Sequence, residues 1–76
     1  MRTEFPDKYI TLGLKIAYYR RKAGYTQEQF AELIGKSVSF VGQVEGTGTV
    51  RGVSLETLFK MAAVLNTTPS KLLDED

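Results

Sequence analysis

The sequence predicts a compact all-α domain of five helices, and three observations carry that prediction. Apolar residues recur at spacings of three and four along most of the chain. Ser or Thr stands immediately before four of the resulting segments, at Thr26, Ser37, Ser54 and Thr68, where a helix N-cap belongs. No stretch reads as a strand, and 76 residues suffice for one hydrophobic core and no second.

Residues 1–8 read as an N-terminal arm whose edge is marked by Pro6, with the folded domain at 9–76. From Tyr9 to Lys22, Leu12, Ile16 and Tyr19 share a face and predict the first helix, ended by Gly24 in the left-handed conformation. Thr26 followed by Gln29 reads as a capping box that opens a second helix over about Gln27 to Ile34. Phe30, Ala31 and Ile34 face inward there, and Gly35 stops it.

Ser37 then caps a short third helix, roughly Val38 to Glu45, with Val41 and Val44 inward. The stretch from Gly46 to Val53 has three of the seven glycines and no helical period, so it reads as a surface loop. Ser54 caps a fourth helix with Leu55, Leu58, Phe59, Ala62 and Leu65 at three- and four-residue spacings, ended by Asn66. Thr68 and Pro69 start a last short helix through Leu73.

Composition narrows the function. At 42% hydrophobic and 25% charged residues the chain is that of an ordinary globular domain. It has neither Cys nor His, which removes disulfides, zinc sites, thiol nucleophiles and imidazole acid–base chemistry together. No enzyme activity, cofactor, metal or small-molecule substrate is therefore expected. The apolar runs are short, as at Met61 to Leu65, against the roughly 20 residues a bilayer span requires. Neither a membrane span nor a signal peptide is expected, and a cytoplasmic location is. The net charge is only +1, but residues 1–25 hold Arg2, Lys8, Lys15, Arg20, Arg21 and Lys22 against Glu4 and Asp7, while the chain closes on Asp74, Glu75 and Asp76. That polarity favours an oriented encounter over bulk attraction.

Two short helices joined by a glycine-bearing turn form the layout that presents the second helix of the pair to a DNA major groove. The residues make the likeness specific. Leu12-Gly13, Ile16, Arg20, Gly24, Thr26-Gln27-Glu28, Ala31, Ile34-Gly35, Ser37, Val41, Val44-Glu45 and the segment Ser54 to Leu58 resemble the Cro and phage-repressor (XRE-type) helix-turn-helix regulators, over about residues 11–73. The resemblance implies a lambda-repressor-like domain from a prokaryote or phage that acts as a homodimer on a palindromic operator in double-stranded DNA. Helices two and three would be its reading unit.

The outward residues of the third helix, Val38, Ser39, Gly42 and Gln43, are then the base-reading candidates. Gln43 can bond an adenine edge in bidentate fashion, Ser39 can meet several bases, and Val38 offers apolar contact to a thymine methyl. The alternative is a solvated face without readout. Gln27, at the positive end of the second helix, suits a phosphate oxygen or else merely caps and solvates that helix. Lys36 and Ser37 in the turn, with Thr47, Thr49 and Arg51 in the loop, are further phosphate candidates. Arg20 and Glu45 match the family's structural ion pair, whose loss of one member costs about 3 to 5 kcal/mol when deeply buried.

Three features depart from the pattern. The loop between Glu45 and Ser54 is longer than is common, the third helix has no Arg or Lys after Lys36, and Phe40 stands where the family often has a small or polar residue. Phe40 is expected either to pack against the loop or to touch DNA sugars. A stripe of Ile10, Leu14 and Tyr18 also lies off the core face of the first helix. It is expected to be covered by the arm through Phe5, to meet a partner, or to be scattered surface exposure. Leu72 and Leu73 pose a similar choice between core and interface. The reading is a DNA-binding transcriptional regulator, a small repressor. An antitoxin-type domain or a protein-interaction module that has kept the fold without DNA contact is the alternative.

Overall fold

The computed structural model describes residues 2–75. They form α1 (Pro6–Lys22), α2 (Gln27–Ile34), α3 (Val38–Glu45), α4 (Leu55–Val64) and α5 (Pro69–Leu73), and no strand occurs among the described residues. None of these helices is long and apolar enough to cross a membrane.

The helix starts follow from the caps. The side chains of Thr26, Ser37, Ser54 and Thr68 accept the backbone N–H of Gln29, Phe40, Thr57 and Lys71, at 3.1, 3.0, 3.1 and 3.2 Å. At α2 the capping box is complete, since Gln29 Oε1 also accepts the Thr26 N–H at 2.9 Å. Three helix ends share one geometry. Gly24, Gly35 and Asn66 have φ of 85°, 69° and 55°. After them the N–H of Tyr25, Lys36 and Thr67 returns to the carbonyl of Arg20, Ala31 and Ala62 at 2.9 to 3.1 Å, satisfying carbonyls that a helix end would otherwise leave open.

The first helix starts earlier than the arm assigned to residues 1–8 allows. Pro6 does not stand outside α1 but opens it, because the first helical position needs no N–H and the proline ring already holds the helical φ. Among the described residues the arm thus shrinks to 2–5.

α3 packs on α1 and α2, α4 on α2, and α5 on α1 and α4. Between them lie Leu12, Ile16, Phe30, Ala31, Ile34, Val41, Val44, Leu58, Met61, Ala62, Leu65 and Leu72, all buried. Gly13 sets the crossing of α1 with the end of α3. A Cβ there would run into the Val44 carbonyl oxygen, so only glycine permits this approach.

Two of the residues at helical spacing in α4 lie outside the core. Leu55 and Phe59 are exposed, and Thr57, Leu58, Met61, Ala62 and Leu65 are the buried set. Spacings of three and four fit two adjacent stripes of a helix, and packing against α2 and α5 selects the second. Phe5 does not cover Leu14 and Tyr18 either, which stay 52% and 56% exposed. It lines a different groove, of about 290 Å³, with Tyr9, Val53, Leu55 and Leu73. At the C-terminal end Leu72 is fully buried and Leu73 is exposed.

Candidate nucleic-acid interface

The reading unit is α2, the turn Gly35 to Ser37, and α3. Gly35 reverses the chain in the left-handed conformation and Ser37 restarts it two residues later, which leaves α3 only two turns long. Its inward side is fully used by Val41, Val44 and Glu45. Its outward side carries Val38, Ser39 and Gln43, all exposed, and Gly42, half-buried. A Cβ on Gly42 would meet nothing within 4 Å, so no packing within the protein requires glycine there.

A buried ion pair fixes the far end of α3. Arg20 Nε donates to Glu45 Oε2 at 2.7 Å and Arg20 Nη2 to Oε1 at 2.9 Å, in the two-pronged geometry that suits a guanidinium to a carboxylate. Arg20 Nη1 donates to the Tyr25 carbonyl at 2.8 Å, which holds the α1–α2 connection to the same group. With side chains 8% and 4% exposed, both charges are out of water and compensated by each other.

Gln27 joins this network. Its amide Nε2 donates to Glu45 Oε1 at 3.0 Å, so the amide nitrogen is turned to the carboxylate rather than outward. The backbone N–H groups of Gln27 and Glu28 have no hydrogen-bond partner among the described residues, and they stand at the positive end of α2.

Cations surround the start of α3. Lys36 Nζ and Arg51 Cζ lie 5.4 and 5.0 Å from the centroid of the Phe40 ring, which is half-buried and packed against the core. The ring therefore packs against the loop, as one of the two expectations for Phe40 had it. Lys60, which sequence reasoning did not single out, reaches the same turn from α4, with its Nζ 3.6 Å from where a Cβ on Gly35 would sit. No acidic side chain pairs with Lys36, Arg51 or Lys60 among the described residues. Only the packing of α4 on α2 brings Lys60 there, and no local signal in the sequence announces it. Ser37 is exposed with its hydroxyl accepting the Phe40 N–H, and Thr47 and Thr49 are exposed in the loop.

A short, capped helix whose outer face is left free of the core, edged by uncompensated cations and free backbone N–H groups, defines a small domain built to read duplex DNA. A family model described as helix-turn-helix matches residues 16–72, and the chain belongs to that family of DNA-binding transcriptional regulators, of the Cro and phage-repressor type. The control protein C.SmaI of Serratia marcescens is 38% identical over 69 residues, which span 91% of this chain and 80% of the relative. The crystal structure of the restriction-modification controller protein C.AhdI from Aeromonas hydrophila matches with a TM-score of 0.78 at 33% identity, over 87% of this chain and 97% of that one. The Bacillus subtilis biofilm regulator SinR, in complex with DNA, matches with a TM-score of 0.75 at 32% identity, over 83% of this chain and 98% of that one.

Proposed function

We propose that this chain is a cytoplasmic repressor that binds a palindromic operator as a homodimer, with α3 of each copy in successive major-groove faces about 34 Å apart. Val38, Ser39 and Gln43 select bases, and Gly42 lets the helix backbone come close to the base edges. Lys36, Ser37, Thr47, Thr49, Arg51 and Lys60, with the free N–H groups at Gln27 and Glu28, hold phosphates and fix the register. The Gln27 amide contributes by steadying Glu45. The observation that carries this reading is the division of α3 into an inner side used by the core and the Arg20–Glu45 pair and an outer side of Val38, Ser39, Gly42 and Gln43 left free beside unpaired cations. The groove formed by Phe5, Tyr9, Val53, Leu55 and Leu73 is the apolar surface that supports a second copy.

The test is selection from a random double-stranded DNA library by the purified protein at two salt concentrations, with the bound pool sequenced. An inverted repeat with half-sites about 10 to 11 base pairs apart is expected. A pool indistinguishable from the input at both salts rejects the proposal in favour of a protein-interaction module.

A further inference from the structure

Phe40 stands among the reading residues of α3, yet it cannot hydrogen-bond a base edge. What it does instead is visible in its neighbours. Lys36, four residues before it in the turn, and Arg51, eleven residues after it across the glycine-bearing loop, both place their cationic groups within about 6 Å of its ring. Two like charges repel, and the loop from Gly46 to Val53 has no helix or strand of its own to hold it. The negative face of an aromatic ring attracts a cation without accepting its N–H groups through a lone pair, so each cation keeps its charge and its donors for phosphate oxygens.

We propose that Phe40 is a positioning residue for duplex binding: its ring holds Lys36 and Arg51 together, so that the turn before α3 and the loop after it meet the DNA backbone as one cationic edge. The inference rests on the DNA-reading role of α3 and adds to it the reason for the aromatic residue and the longer loop. Anchoring the loop before the encounter removes part of the ordering cost that a free loop would incur on binding.

The test compares Phe40→Leu, which keeps apolar bulk and removes the ring, with Phe40→Tyr, which keeps both. Binding to a short fluorescent duplex of arbitrary sequence is followed at about 50 and about 200 mM salt, beside thermal melting and in both wild-type and Arg51→Ala backgrounds. Phe40→Leu is expected to weaken binding by about five- to thirty-fold at most, as loss of two exposed cation–π contacts implies, and to flatten the salt dependence towards that of Arg51→Ala. Phe40→Tyr should remain within about two-fold of wild type, and Phe40→Leu should lose less in the Arg51→Ala background than alone. A loss that is the same with and without Arg51, or wild-type binding by Phe40→Leu, overturns the inference while the DNA-reading role stands. Absence of salt-dependent binding by the wild-type protein overturns both.

Discussion

Glu45 accepts three hydrogen bonds, two from Arg20 and one from Gln27, and so joins side chains of α1, α2 and α3 at one buried point. Its carboxylate has a structural task and no freedom to act on DNA. The residues that are free lie on the other side of α3, and Gln43 is the one whose side chain matches a base edge best, as an amide offering a donor and an acceptor together. Gln43→Ala should relax discrimination at a single base position by about 1 to 3 kcal/mol. Binding to a panel of operators substituted one base pair at a time would show it, and a uniform loss across the panel would place Gln43 on the backbone instead. At this scale the sequence was informative wherever helix periodicity decides, as for Val38, Ser39, Val41 and Val44. It was uninformative where a long side chain chooses between partners. Gln27 is legible as the first residue of its helix, but the direction of its amide depends on Glu45, eighteen residues away.

The helices were legible nearly to the residue because their ends are written in short-range chemistry. Four hydroxyl caps and three left-handed C-terminal residues leave little choice of boundary. Pro6 fits both a break before a helix and a first helical position, so the start of α1 is not decided by the local sequence. Leu55 and Phe59 obey helical spacing as well as the true core residues do, so periodicity alone does not settle which side of α4 is buried. Gly13 belongs to a third kind, in which the local sequence gives no hint and the crossing of two helices explains everything. Gly13→Ala would improve the helix propensity of α1 while forcing a methyl group into the Val44 carbonyl. The clash should win, with a net destabilisation of about 1 to 3 kcal/mol seen as a lower urea midpoint. A midpoint at or above the wild-type value would mean that α1 and α3 can separate at little cost.

For the whole molecule, a net charge of +1 says little, and the location of the uncompensated cations says more. Lys8 is engaged by Glu75 at 3.0 Å and Arg20 by Glu45. Of the cations with no acidic partner among the described residues, Arg21 and Lys22 stand at the end of α1, while Lys36, Arg51 and Lys60 surround the reading unit. If each of these three meets one phosphate in each copy of a homodimer, the logarithm of the affinity should fall with the logarithm of salt with a slope of about −5. Titration with an operator duplex at several salt concentrations measures it, and a slope near zero would remove these residues from the backbone contact. Gly42 also has a consequence for how such a protein changes over generations. The glycine leaves open space on the exposed side of a helix whose fold-determining residues all lie on the other side. A side chain could appear at that position, or Val38, Ser39 and Gln43 could be exchanged, without any core residue having to respond. A duplicated gene could therefore drift to a new operator through a handful of neutral-to-stability substitutions, its target rewritten while its scaffold stays the same.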